Sequence, residues 1–430
     1  MAKRVNKRSF SAANAVIYEL NVRQLTPEGT FKAAIPHLET LRRMGIDIIW
    51  VMPPYPIGEV NRKGESGSYY SIRDYCAINP EFGTMADFDE FVARAHESGM
   101  RVILDWVANH TARDARWLDE KPADWYERNE DGTPLVPFDW TDTAKLNYAN
   151  RDVWQGQLDA MLFWVRKHKI DGFRCDMAML VPLEFWQFVT AELRALRPDI
   201  FMLAEAEGVE FFDKAFDACY AWKLHHLLCD IAKSRCRVDV LRNYIYEDLA
   251  AYPADALRMM FTSNHDENSW NGSEFSRFGD AADAMAVATF LLPSTLPLVY
   301  TGQEFGYDHS FAFFEHDPLP DIEPNAFTDL YRRLAELRHS NPALWSGEQR
   351  GEFIEIHNNA QDCMLSFVRK SGENTVLCLL NISPYTIQAD FDTGIYAGDY
   401  TDALNGSPYL LPPHIDTYFA PWEYKILIRK

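Results

Sequence analysis

Ile170-Asp171-Gly172-Phe173-Arg174-Cys175-Asp176 reads as a buried strand that ends in two groups of opposite charge. Side chains alternate along a strand, so Arg174 and Asp176 share one face while Phe173 and Cys175 share the other. An Arg and an Asp two apart on one face do not suit an apolar core. They belong at a strand end, in a polar pocket where the guanidinium holds the carboxylate ionised. A structural ion pair is the plain alternative, and the pair must be weighed with the rest of the chain.

Working outward, short β-rich runs alternate with amphipathic stretches from residue 15 to about 340. The expected strands are 15–20, 46–52, 100–105, 170–176, 201–205, 215–220, 258–263 and 296–300. Helical periodicity marks 31–44, 85–98, 153–168, 184–196, 281–292 and 327–338. Eight strands alternating with helices predict a closed parallel (β/α)8 barrel, a TIM barrel of the α/β class. No GxGxxG follows the first strand, which weighs against a doubly wound sheet. Residues 111–149 are polar and rich in Trp and Asp, with an Asp131-Gly132 turn signal, and read as a subdomain inserted after strand three. Short alternating runs at 353–357, 363–369, 375–381 and 424–429 predict a C-terminal all-β sandwich. The expected division is thus 1–110 with 150–342 as the barrel, 111–149 as the insertion and 343–430 as the β domain.

Composition narrows the function. The formal net charge of −21 over 430 residues argues against nucleic acid or an anionic membrane as partner and is compatible with a neutral sugar. No run of 18 apolar residues appears, so no membrane span is expected. Residues 1–10 are basic and polar, unlike a secretory leader, so a cytoplasmic location is expected unless a leader has been removed. The seven cysteines lack CxxC spacing and read as reduced thiols. Nothing in the composition fixes an oligomeric state.

In such a barrel the polar residues at the C-terminal strand ends carry the chemistry. Strand three ends Asp105-Trp106-Val107-Ala108-Asn109-His110, strand four ends Arg174-Cys175-Asp176, strand five ends in Glu205, and strand seven ends Ser263-Asn264-His265-Asp266. Each cluster alone has a bland explanation, Asn264-His265-Asp266 for instance as a helix cap. All four in order do not.

With these four regions in order, the chain resembles the α-amylase superfamily, glycoside hydrolase family 13. The resemblance implies that Asp176 is the nucleophile, Glu205 the general acid/base and Asp266 the third carboxylate. It implies that Arg174 keeps Asp176 ionised, that His110 and His265 bind the sugar, and that Tyr70 stacks on it. Retaining glycoside hydrolysis needs one ionised and one protonated carboxyl flanking the bond. Glu205 has no cation beside it in sequence, so its pKa is expected to be raised, with Glu207 as a rival for its role. Trp222 and Trp270, just past strand ends, are the expected sugar platforms among the aromatics Trp106, Trp117, Trp125, Tyr126, Trp140, Tyr148, Trp222 and Trp270, about half of which are expected only to pack. Where many members carry Lys-His after the nucleophile, this chain has Met179 and Leu180, which are expected to line the leaving-group side. Of the family's calcium ligands only Asn109 is matched, so no cofactor is expected to be required. Lys145-Leu146-Asn147 is similar to a motif of the neopullulanase-like subgroup. The expected activity is hydrolysis of α-1,4-linked glucans or maltooligosaccharides through a glycosyl-Asp intermediate. Glucanotransferase or trehalose-forming isomerase action is the alternative, and a catalytically dead binding barrel the distant one.

Overall fold

The computed structural model describes residues 11–429. The basic segment 1–10, read above as no secretory leader, lies outside the described residues. Eight parallel strands close into a barrel: β1 (Ile17–Leu20), β2 (Ile48–Val51), β3 (Arg101–Val107), β4 (Gly172–Asp176), β5 (Phe201–Ala204), β6 (Ala218–Tyr220), β7 (Leu257–Met260) and β8 (Thr295–Tyr300). Both faces of each strand are buried, which is why the runs are nearly continuous in apolar residues. Ile17, Trp50, Ile103, Leu203, Tyr220, Met259 and Leu298 point inward and pack on one another. Tyr18, Ile49, Phe173 and Cys175 point outward, under the helices. Gly172 is fixed by the closeness of β4 and β5: a Cβ there would lie 2.0 Å from the Phe201 carbonyl oxygen.

The expected elements recur with instructive differences. The helix read over 31–44 is broken into Phe31–Ala34, a 3-10 turn at Ile35–His37 and Leu38–Met44. Pro36 has no N–H for the helical ladder, which accounts for the break. The sixth strand shortens to Ala218–Tyr220, and the seventh ends at Met260 rather than 263. Two helices not anticipated, Trp222–Ala232 and Val238–Ala251, follow β6.

The segment after β3 leaves the barrel as a small ribbon, His110–Ala112 paired antiparallel with Thr143–Lys145. It has its own apolar centre of Trp125, Tyr126, Ala144 and Leu146. At the C-terminus, β9 (Glu352–Glu355), β10 (Met364–Ser371), β11 (Asn374–Asn381), β13 (Gly398–Asp402), β14 (Pro408–Leu411) and β16 (Tyr424–Arg429) form a sheet in the order β9-β10-β11-β16-β13-β14. A second pair, β12 (Ile387–Asp392) and β15 (His414–Phe419), covers it. Alternation splits the central strands: Met364, Val368, Leu377 and Leu379 face the small sheet. Leu365, Phe367, Val376 and Cys378 face the barrel.

Two buried arginines stitch this seam. Arg338, on the helix Ala326–Ser340, donates to the carbonyls of Ala13 (2.8 Å), Thr295 (2.6 Å) and Leu344 (2.7 Å). Arg369 of β10 donates to the Leu291 carbonyl at 2.8 Å and to that of Gly351 at 3.3 Å. Among the described residues no helix is long and apolar enough to cross a membrane.

Candidate active site

On four of the eight strands the inward alternation runs out at the C-terminal rim in a polar side chain: Glu19 on β1, Asp105 on β3, Arg174 and Asp176 on β4, and Glu205 just past β5. Arg174 is fully buried and organises the rest. Its Nη1 donates to Asp105 Oδ1 at 2.9 Å and to Asp176 Oδ1 at 3.0 Å. Its Nη2 stands 2.8 Å from Glu205 Oε2, and its Nε donates to the Tyr220 hydroxyl at 3.0 Å. Glu205 therefore does have a cation beside it, contrary to the reading from sequence neighbours, because β4 and β5 adjoin. Burial pushes Asp176 well above the usual carboxylate range, helped by the nearby Glu205 and opposed by Arg174. Burial also raises Glu205, against the pull of Arg174 and with the push of Asp266. Two buried carboxyls repel each other as anions, so the pair favours holding one proton against the pull of the shared guanidinium, and Arg174 does not by itself keep Asp176 ionised as the sequence implied.

The backbone takes part. Met177, directly after Asp176, adopts a left-handed conformation at φ 41°. That geometry is uncommon for a side chain with a Cβ and clusters at functional sites. It aims the Met177 N–H at Glu205 Oε2, 2.7 Å away.

Opposite them, Asn264 caps the helix His265–Asn271, its side chain accepting from the Glu267 N–H at 2.7 Å. The cap and the site are thus the same stretch. His265 is held from two sides, Nδ1 at 2.5 Å from Glu19 Oε1 and Nε2 at 3.3 Å from Asp266 Oδ2. Burial alone would strip its proton, but the Asp266 and Glu19 carboxylates outweigh burial and raise its pKa well above the usual value. Burial would raise Asp266 in turn, and His265 more than reverses that. The Tyr70 hydroxyl lies 2.7 Å from His265 Nε2 and donates to Asp105 Oδ2 at 3.1 Å. His110 is buried and pushed down to about 4 by that burial, so it is neutral at neutral pH.

These groups surround a cleft of about 390 Å³. Tyr70, His110, Asp176, Glu205, His265, Asp266 and Trp270 all line it, with Arg174 buried beneath. Trp222 does not line it: helix Trp222–Ala232 starts two residues after Tyr220 and turns the indole to a neighbouring groove. Met177 lines the cleft, while Met179 and Leu180, expected on the leaving-group side, are not among its lining residues. Glu207 faces away, pairing with Arg258 at 2.8 Å. Of the other aromatics, Trp140 lines the cleft, while Trp106, Trp125 and Tyr126 are packed in cores. Lys63, Asp139, Asp142, Phe313 and Phe314 also line it, and none was singled out from sequence. They sit on loops distant in the chain and carry no motif. Glu19 was missed too, although an acid inside Ile17-Tyr18-Glu19-Leu20 is the same signal that marked Asp176.

Asn109 is the residue matched from sequence to a calcium ligand. Its amide lies 3.2 Å from His110 Nδ1, and among the described residues no three His, Cys, Asp or Glu side chains converge to hold a metal.

The chain matches the sequence model of the α-amylase catalytic domain over residues 5–143 and 125–362, and that of the α-amylase C-terminal all-β domain over 354–410. It is 29% identical over 411 residues to α-amylase MalA of Haloarcula japonica, covering 92% of this chain and 59% of that protein. It is 33% identical over 468 residues to an α-1,4-glucan:maltose-1-phosphate maltosyltransferase of Cereibacter sphaeroides, covering 96% of this chain and 66% of that protein. The chain thus spans about three fifths to two thirds of the length of these curated relatives. Among solved structures, a noncanonic maltogenic α-amylase, AmyB of Thermotoga neapolitana, superposes with a TM-score of 0.87 at 28% identity, covering 97% of this chain and 99% of that one. Both domain models match in chain order onto a closed barrel and a β domain: the chain belongs to the α-amylase family, glycoside hydrolase family 13.

Proposed function

We propose that the protein is a retaining α-glucoside hydrolase acting on α-1,4-linked glucans or maltooligosaccharides. The observation that carries this is the single Arg174 guanidinium shared by Asp176 and Glu205 at the floor of the cleft. It brings both carboxyls to one floor of the cleft, where a nucleophile and an acid acting on a single glycosidic bond are needed. In this reading Asp176 attacks the anomeric carbon as the glycosidic C–O bond breaks, and Glu205 gives its proton to the departing oxygen. Water then loses a proton to Glu205, bonds to the anomeric carbon and displaces Asp176. Asp266, held ionised by His265, grips sugar hydroxyls, and Tyr70 offers its ring to the sugar face. Glu207, tied to Arg258 in another groove, is a poor rival for the acid role.

Proton NMR on the first minutes of maltooligosaccharide cleavage tests it. The α-anomer is expected first, and initial β-anomer would rule Asp176 out as nucleophile.

Transfer to a sugar acceptor uses the same intermediate, and the likeness to a maltosyltransferase speaks for measuring it. Chromatography at low and high acceptor concentration separates the two. Asp176, Glu205 and Asp266 converging on one cleft speak against a non-catalytic binding barrel. The proposed division into barrel (1–110 and 150–342), insertion (111–149) and β domain (343–430) is supported by the separate apolar centres described above. The seven free cysteines support a reducing, cytoplasmic setting.

A further inference from the structure

Segment 58–67, in the long connection after β2, ties two other loops together. Toward the inserted ribbon, Asn61 Nδ2 donates to the Thr141 carbonyl at 3.0 Å, and Lys63 Nζ lies 3.5 Å from Asp142 Oδ1. Toward the loop after β8, the Ser66 N–H donates to the Phe314 carbonyl at 3.0 Å and the Glu65 N–H to Glu315 Oε2 at 3.1 Å. Buried Arg23 clamps the join, donating to the carbonyls of Ser66, Gly67 and Phe313 at 3.0–3.2 Å. The fit is close: at Gly64, φ +63°, an added Cβ would lie 2.5 Å from Phe314 Cβ. Three loops thus interlock into one wall, with Lys63, Asp142, Phe313 and Phe314 on its inner side, lining the cleft.

On the opposite flank the connections after β4 and β6 are short. The connection after Asp176 is one 3-10 turn, Ala178–Leu180, and Met179 on it is exposed. After β6 the chain passes at once into helix Trp222–Ala232. A second groove of about 600 Å³ lies on this flank, lined by Glu207, Trp222, Lys223, His226 and Tyr244 among others. Glu205 lines the cleft and Glu207, two residues on, lines this groove. Trp222 stacks on His226 at 5.9 Å and 21° between planes, a flat aromatic face fringed by polar groups. Such faces suit sugar rings.

The chemistry orients the substrate between the two flanks. The acid that protonates the leaving oxygen stands on the leaving-group side. Glu205 is that acid in the proposed function, and it sits toward the open flank. The interlocked wall therefore faces the glycone, whose far end is the non-reducing end of an α-glucan.

Resting on the hydrolytic reading, we infer that the cleft is blind on its glycone side. The enzyme takes only the non-reducing end of a glucan chain, and the leaving chain runs out over the Trp222 groove.

The test is a pair of aryl maltoheptaosides, one with a free non-reducing end and one with that end blocked by a 4,6-O-ethylidene group, with products followed by chromatography. The free substrate is expected to lose short units from its non-reducing end and the blocked one to be cleaved at least 100-fold more slowly. Equal cleavage of both would overturn end recognition while leaving the hydrolase reading intact. Cleavage of neither would overturn both. For the groove, Trp222→Ala is expected to raise KM for maltoheptaose about tenfold while leaving kcat/KM for an aryl α-glucoside within twofold. No change in KM for the long substrate would remove the groove from the leaving chain's path.

Discussion

Glu19 Oε1 stands 2.5 Å from His265 Nδ1, at the junction of the first strand and the loop after the seventh, and its other oxygen, Oε2, has no hydrogen-bond partner among the described residues. The carboxylate thus spends its charge on the imidazole, and through it on Asp266. In Glu19→Gln the amide oxygen still accepts from Nδ1 but the charge is gone, so His265 loses its proton at lower pH. The alkaline limb of kcat/KM is expected to move to lower pH by about one unit, with the circular dichroism spectrum unchanged. A pH profile superimposable on that of the native enzyme would show that Glu19 only fills space.

Asp176→Asn, Glu205→Gln and Asp266→Asn are each expected to lower kcat/KM by roughly 10³-fold or more. Glu207→Gln is expected to cost less than about tenfold, since Glu207 serves Arg258 rather than the cleft. Initial rates on a maltooligosaccharide decide it. A dead Glu207 variant beside an active Glu205 variant would reverse the assignment.

Chelation is expected to leave activity intact, because only Asn109 of the family's calcium ligands is matched in the sequence. Assay after dialysis against EDTA checks this, and loss of activity restored only by calcium would refute it.

Glu274 gives a stability prediction with a definite sign. It is buried, accepts from Thr262 Oγ1 at 2.5 Å and from Gln303 Nε2 at 3.0 Å, and burial pushes its pKa from 4.5 up to about 7. A folded pKa above the unfolded one means a contribution complete below about pH 4.5 and lost as pH rises through about 7. Glu274→Gln cannot ionise. Relative to the variant, the native protein is expected to lose roughly 3 kcal/mol between those limits. Urea unfolding of both at pH 4.5 and 7.5 reads the difference, and parallel pH dependences would refute it.

Gly172→Ala would place a Cβ 2.0 Å from the Phe201 carbonyl oxygen, against backbone that cannot yield. A loss of about 3 kcal/mol or more is expected, since β4 and β5 would have to part. An unchanged denaturation midpoint would show that the strands have room.

The barrel was legible because its strands carry apolar residues on both faces, and the site because several of them then stop at a polar one. Asp105, Arg174, Asp176 and Glu205 stood out for that reason. Glu19 obeys the same rule, but a lone acid in a four-residue strand lacks the neighbours that made the other ends stand out. Lys63 and Phe313 were out of reach: their relation to the cleft exists only once segment 58–67 meets the loop after β8. Trp222 and Trp270 looked alike in sequence, each just past a strand. Where the next helix begins separates them, and that is set by tertiary packing. Pro36, by contrast, announced its break, and the periodicity of 31–44 merely drowned it out.

The carbonyl-bound arginines at the seam bear on how the molecule comes apart. Arg338 and Arg369 find their acceptors on turns and termini contributed by both the barrel and the β domain, not on carboxylates that salt would screen. Separating the two units would leave buried guanidinium groups and main-chain oxygens facing each other's absence. Melting of either part therefore drags the other with it. Calorimetry should record one cooperative transition, so that the β domain helps set the temperature at which the sugar site fails.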